Sequence, residues 1–309
     1  MDLETSLQPL EGGWSGETFL AEVAGERSVV RVFADPRHHP RAAEIQASLL
    51  RLVRGLVPVP AVLEVRRADA VAGTPPLLVT EFVGGVRGDL LLPTLDPDGL
   101  ALLGERLGRV AGALAGMPQL AAGTFADADL RVEPFALDLE EWVGAHEEGL
   151  GWDKADLKAL RMVAKEAQEL LDEVGRVSLV HSDLNPKNVL VDPDTLGITA
   201  VLDWEFSHSG SPFTDLGNLL RFERDEAYAA GVLRGFLALR GGRPDRVLRL
   251  ARSADLVALV ELAARKESNP VAARAHDHLL AIARARDVHA VPGSGPHLGN
   301  PVEEPRSAD

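Results

Sequence analysis

The sequence predicts an α+β chain in two lobes, a small antiparallel sheet at the N-terminus and a larger, mostly helical part after it. Three observations carry this reading. The first 83 residues hold short β-branched runs with one helical segment among them. After Gly84-Gly85 the chain turns to Leu- and Ala-rich helical periodicity. A compact block of short strands around a polar loop, Val177–Leu202, then interrupts the helices.

In order, Leu7–Trp14 and Glu17–Val23 flank a glycine-containing turn and read as a hairpin, and Ser28–Phe33 (SVVRVF) reads as a third strand. Pro40–Arg54 carries Ile45, Leu49, Leu52 and Val53 at helical spacing. Ala61–Arg67 and Leu77–Val83 are two more strands, separated by Gly73, Pro75 and Pro76. Pro97–Met117, Glu133–Glu148 and Lys154–Val174 read as helices. Phe213 onward is helical again, through Tyr228–Arg240, Arg243–Glu267 and Val271–Asp287. The tail from Val291 is Pro, Gly and charge with nothing to pack, which predicts disorder. The expected divisions are residues 1–84, 85–290 and a tail of 291–309.

The bulk numbers narrow the function. The chain has 309 residues, 46% of them apolar and 26% charged, as expected for a globular protein with a full core. It has no cysteine, which excludes disulfides, thiol catalysis and cysteine zinc sites and points to an intracellular protein. Its 32 basic and 47 acidic residues leave a net charge of −15, a balance that repels nucleic acid and anionic membranes and suits a cationic ligand. The acidic MDLETSLQ start has no apolar stretch, and no run of 18 apolar residues occurs anywhere. A cytoplasmic protein is expected. Gly-x-Ser-x-Gly and Gly-x-x-x-x-Gly-Lys-Ser/Thr are both absent, against an α/β-hydrolase or a P-loop enzyme.

The chemistry is concentrated in His181-Ser182-Asp183-Leu184-Asn185-Pro186-Lys187-Asn188. Apolar Ser178-Leu179-Val180 precedes this loop and Val189-Leu190-Val191 follows it. A further apolar strand, Ile198–Leu202, delivers Asp203 in Leu-Asp-Trp-Glu. Phosphoryl transfer needs a carboxylate to orient a hydroxyl and take its proton, and hard oxygen donors to hold magnesium against phosphates. Asp183 suits the first task; Asn188 and Asp203 suit the second.

The pattern His-x-Asp-x-x-x-x-Asn, an apolar strand and Leu-Asp-Trp-Glu resembles the aminoglycoside phosphotransferase family, also called the phosphotransferase enzyme family, a relative of protein kinases and choline kinases. The continuation Gly210-Ser211-Pro212-Phe213-Thr214-Asp215-Leu216-Gly217-Asn218 resembles it too. The resemblance implies a protein-kinase-like bilobal fold and transfer of a nucleotide γ-phosphoryl group to an alcohol. It implies that Asp215 braces the catalytic loop. His181 joins Asp183 as a catalytic-loop candidate, in the role of a backbone prop.

On the nucleotide side, the resemblance makes Gly12-Gly13-Trp14-Ser15-Gly16-Glu17 the phosphate-covering loop, with Gly13 and Ser15 as its contacts. The family's third strand usually carries a lysine to the phosphates. This chain has no lysine before Lys154, and Arg31 stands at the corresponding place, with Glu44 on the next helix as its implied partner. Glu81 and Val83 fall on the linker strand whose backbone would meet the purine edge of ATP or GTP. The implied cofactors are Mg²⁺ and that nucleotide. The acceptor is a small hydroxylated molecule: an aminoglycoside-like antibiotic, an amino alcohol or a sugar. Seven acidic residues between Asp138 and Asp156 would hold its ammonium groups or form a solvated helix face. The alternative reading is a nucleotide-binding pseudokinase of the same fold.

Overall fold

The computed structural model describes residues 6–10, 18–23, 25–69, 71–223 and 225–293. The turn with Gly13 and Ser15, and the tail beyond Gly293, lie outside the described residues. Strands β1 (Ser6–Pro9), β2 (Thr18–Val23) and β3 (Glu26–Val32) lead into helix α1 (Ala42–Val53), followed by β4 (Val62–Arg66) and β5 (Leu77–Glu81). These strands form one antiparallel sheet in the order β1-β2-β3-β5-β4. Ile45, Leu49 and Val53 recur every four residues along α1 and are buried, while Leu52 lies at the margin of that face and is exposed.

The two-residue β6 (Val86–Arg87) and the single turn α2 (Gly88–Leu91) open the helical part. Helix α3 (Pro97–Leu114) starts where Asp96 accepts the Gly99 amide at 2.8 Å and Pro97 takes the first helical position. Three short strands follow: β7 (Pro118–Gln119), β8 (Gly123–Phe125) and β9 (Val132–Pro134). Next come helices α4 (Leu139–Leu150) and α5 (Lys154–Asp172), and strands β10 (Val177–Val180), β11 (Val189–Val191), β12 (Ile198–Val201) and β13 (His208–Gly210). Helices α6 (Thr214–Leu220), α7 (Glu226–Arg240), α8 (Pro244–Ala263) and α9 (Pro270–Ala285) complete the order. A second antiparallel sheet runs β7-β10-β13-β8-β9, and a third runs β12-β11-β6.

The helix expected over Glu133–Glu148 begins instead at Leu139. Pro134 ends β9, and Asp138 caps α4 by accepting the Glu141 amide at 2.9 Å. Asp225 caps α7 by accepting the amides of Ala227 and Tyr228 at 2.9 and 3.1 Å. Among the described residues no helix is long and apolar enough to cross a membrane.

By internal contact the chain falls into two units: Met1–Ala136 with Leu171–Asp255, and Leu137–Leu170 with Leu256–Asp309. This division does not follow the break after Gly84, and the first sheet and the polar loop at 181–188 belong to one unit. The core of that unit runs from Phe33, Leu49 and Leu78 through Leu107, Leu179 and Leu184 to Trp204, Leu216 and Phe236. The other unit buries Leu139, Val143 and Leu160 together with Leu256, Val260 and Leu279.

Helices α3 and α7 meet backbone to backbone. Gly104 and Gly108 on one, and Gly231 and Gly235 on the other, sit four residues apart on facing stripes. A methyl group at Gly104, Gly108, Gly231 or Gly235 would stand 2.4, 2.0, 2.2 or 2.0 Å from the carbonyl oxygens of Tyr228, Val232, Ala101 and Glu105 respectively. Only hydrogen fits there. Gly108→Ala is expected to lower the unfolding free energy by at least about 2 kcal/mol, read as a fall in the urea midpoint. Gly144→Ala, on the exposed side of α4 where the added carbon meets only Arg161 at 3.7 Å, serves as the control. It should be neutral or stabilising by up to ~1 kcal/mol. A wild-type midpoint for Gly108→Ala would contradict the close approach.

Candidate active site

The polar loop is anchored at both ends. Strand β10 pairs with β7 on one side and β13 on the other, and Ser178, Leu179 and Val180 are buried. The strand delivers His181, which is fully buried. At the far end β11 pairs with β12, and the Leu202 amide donates to the Asn188 carbonyl at 2.8 Å. His181 closes the circuit. Its Nδ1 accepts the Asp183 amide at 3.3 Å, so the ring proton sits on Nε2, 2.8 Å from the Leu202 carbonyl. Both nitrogens are spent on backbone, and the ring packs edge-on to Trp204 with centroids 4.7 Å apart. This geometry gives His181 a prop's place.

Asp215, in the first turn of α6, holds the start of the loop. Its two oxygens accept the amides of His181 and Ser182 at 3.0 and 2.8 Å. The carboxyl is buried, and burial pushes its pKa up against the pull of His181 and these amides. The bonds compensate a turn in which Ser182 takes a left-handed conformation at φ 71°.

Asp183 presents its carboxylate from a fixed cradle. Oδ1 accepts the Asn185 amide nitrogen at 2.6 Å, and Oδ2 accepts that of Asn188 at 2.7 Å. Lys187 Nζ lies 3.8 Å from Oδ2 and remains half exposed. Asn188 turns its nitrogen inward, also donating to the Asp183 carbonyl at 2.9 Å, so its side-chain oxygen faces the other way. Asp203 follows β12 in a left-handed conformation, φ 63° and ψ 64°. Among the described residues no group of three or more His, Cys, Asp or Glu could hold a metal ion. A cation here would take one amide oxygen and one carboxylate from the protein. That set fits Mg²⁺, which keeps waters and completes its shell on phosphates.

Arg31 reaches these groups from β3. Its Nη1 donates to Asp203 Oδ1 at 2.7 Å and its Nη2 to Glu205 Oε2. The guanidinium lies 5.3 Å from the Phe33 ring centroid. Its buried Nε has no hydrogen-bond partner, a donor that fits a phosphate oxygen. Burial opposes the charge on Arg31, and Asp203 and Glu205 outweigh it and raise the pKa. Burial and the neighbouring Asp203 push Glu205 upward, while Arg31 and His38 pull it down.

One expected pair is corrected. Glu44 does not meet Arg31; its carboxylate accepts Arg67 Nε at 2.7 Å, at the end of β4. Glu44 sits in the first turn of α1, where Arg67 competes for it, and Arg31 is taken up by nearer carboxylates of the Leu-Asp-Trp-Glu segment. Glu81 spends its side chain on the Ala61 amide at 2.9 Å. Half-buried Val83 follows β5, and Arg27 covers Phe82 at 4.1 Å from its ring centroid. The acidic run on the other unit is largely committed as well. Asp138 and Asp153 cap helix starts, Glu147 pairs with Arg161, and Asp156 pairs with Arg284. Asn185 of the polar loop and Glu205 of the Leu-Asp-Trp-Glu segment join this arrangement through Asp183 and Arg31.

Residues 6–250 match the phosphotransferase enzyme family. Among solved structures, the chain is similar to a microcompartment-associated aminopropanol kinase, at 23% identity over 91% of this chain and 92% of that one, with a TM-score of 0.67. It is similar to aminoglycoside 2'-phosphotransferase-IIIa in its GDP complex, at 19% identity over 93% and 94%, with a TM-score of 0.64. It is also similar to a thermostable mutant of aminoglycoside phosphotransferase APH(4)-Ia in a ternary complex with AMP-PNP and hygromycin B. The identity there is 20% over 92% and 94%, with a TM-score of 0.61. Acyl-CoA dehydrogenase family member 10 of Mus musculus is 24% identical over 235 residues, 74% of this chain and 21% of that protein. The chain thus spans about a fifth of that relative's length. The solved structures share the protein-kinase-like fold described above, an antiparallel N-terminal sheet ahead of a helical part, and the family match takes in both the sheet and the loop at 181–188: the chain belongs to the phosphotransferase enzyme family.

Proposed function

We propose that this phosphotransferase moves the γ-phosphoryl group of ATP or GTP to a hydroxyl of a small, cationic acceptor. The observation that carries the reading is the Asp183 carboxylate, held between two side-chain amides on a braced loop whose far end leads to Asp203 and Arg31. The acceptor oxygen attacks the γ-phosphorus, and its proton passes to Asp183. The bond to the bridging oxygen breaks, leaving a phosphomonoester and a nucleoside diphosphate. Asn188 fixes Asp183 through its nitrogen and offers its oxygen, with Asp203, to Mg²⁺. When bound, the metal neutralises charge on the phosphates. Arg31 supplies a permanent cation for the same phosphates, and the linker at Glu81 and Val83 supplies backbone to the purine. Residues 1–84 form the nucleotide side, and the acceptor side lies beyond them. Gly13 and Ser15 belong to the turn that would cover the phosphates.

The acceptor class follows from charge and kinship. A net charge of −15 favours a cation, and the structural relatives are kinases of an amino alcohol and of aminoglycosides. A cytoplasmic site of action fits the absence of cysteine. The pseudokinase alternative is not supported, since the family match and the kinases among the structural relatives speak for transfer.

Two measurements test the reading. Asp183→Asn should cut acceptor-stimulated nucleoside diphosphate release by at least about 10²-fold, the scale of a general base. Nucleotide affinity by calorimetry should change by less than about threefold, because Asp183 acts only on the acceptor. Turnover equal to wild type would remove Asp183 from the reaction. Asp203→Ala should erase the gain in nucleotide affinity that magnesium gives the wild type. A wild type with equal affinity in magnesium and in chelator would contradict the metal assignment.

A further inference from the structure

In the sheet-borne cation of this chain the usual division of labour is altered. Arg31 stands 16% exposed between two carboxylates from one short segment, Asp203 and Glu205, which lie 32% and 23% exposed. Each terminal nitrogen of the guanidinium takes a different one. A planar fork spans two carboxylates set two residues apart; a single ammonium does not hold both in fixed directions. The helix carboxylate that would otherwise anchor this cation, Glu44, is engaged by Arg67. Glu205 is itself held. Trp204 beside it is buried with its indole N–H on the Val201 carbonyl at 3.0 Å, and His38 Nε2 lies 3.9 Å from Glu205 Oε2.

The two partners of Arg31 have unequal duties. Asp203 is the carboxylate that would hold a metal, at the expense of its bond to Arg31. Glu205 then remains to keep the guanidinium in place. We propose that Glu205, and not Glu44, is the positioning residue that aims Arg31 at the nucleotide phosphates. The phosphate grip of β3 is then set from the same segment that carries the metal ligand, so sheet and catalytic segment align as one piece. This inference rests on the kinase reading above and deepens its nucleotide side.

The test compares Glu205→Gln, Glu44→Gln, Arg31→Ala and the double variant Glu205→Gln/Arg31→Ala. The probes are non-hydrolysable ATP and GTP analogues, whose dissociation constants are measured with EDTA and again with magnesium. Glu205→Gln should weaken the better-bound analogue about tenfold even in EDTA, as expected for removing one partner of a half-buried charge pair. The double variant should bind no more weakly than Arg31→Ala alone, because Glu205 acts through Arg31. Glu44→Gln should stay within about twofold of wild type, the ordinary result for a surface pair. In steady-state kinetics Glu205→Gln should raise the nucleotide KM and leave the acceptor KM unchanged.

An effect of Glu205→Gln seen only with magnesium, or one that adds fully to Arg31→Ala, would make Glu205 a metal ligand and overturn the proposal. A loss of affinity confined to Glu44→Gln would overturn it too, and that variant alone decides the matter if Glu205→Gln does not fold. A wild type that binds neither analogue would instead bring down the kinase reading itself.

Discussion

Everything in the site depends on how one buried carboxylate ties down a strained turn. Strand β10 must stop and reverse into a loop that exposes Asp183, and it does so through a left-handed Ser182. Left alone, the buried amide of His181 would lack a partner, at a cost of about 1–3 kcal/mol, and the half-buried amide of Ser182 would lack one too. Asp215 accepts both. His181, locked by that bond, passes the constraint to Leu202 through its ring, and Leu202 passes it to Asn188 through its amide. Helix α6, strand β12 and the loop at 181–188 are therefore held in register by a chain of hydrogen bonds that begins at a single side chain.

The second constraint is electrostatic. Burial, and then the neighbouring Asp203, raise the proton affinity of Glu205, and both carboxylates bind Arg31. Like charges two residues apart in a half-buried segment repel, and the guanidinium offsets that repulsion. The same cation keeps its charge across the physiological pH range. Arginine thus holds the acidic segment together from the neighbouring sheet.

Much of this was legible in the sequence, for identifiable reasons. The long helices announced themselves by period, and the structure adds the caps at Asp96-Pro97 and Asn269-Pro270. The loop residues stood between apolar triplets that had to be strands. What escaped was of two kinds. Strands β7, β8, β9 and β13 are two or three residues long, too short for an alternation to show. Partnerships between distant residues left no local trace: Arg31 meets Glu205 across 174 positions, and Glu44 meets Arg67 across 23. The glycines at 104, 108, 231 and 235 take their meaning only from the facing helix.

The account turns on a phosphoryl group leaving a nucleotide for a hydroxyl, and the most direct measurement follows the phosphorus itself. Phosphorus NMR of the protein with ATP or GTP, magnesium and a set of amino alcohols and aminoglycosides would watch every species at once. The account predicts that the γ signal disappears in step with a new phosphomonoester signal and the two signals of the nucleoside diphosphate, and that this happens only with a matching acceptor. Inorganic phosphate as the sole new signal, with every acceptor unchanged, would contradict it.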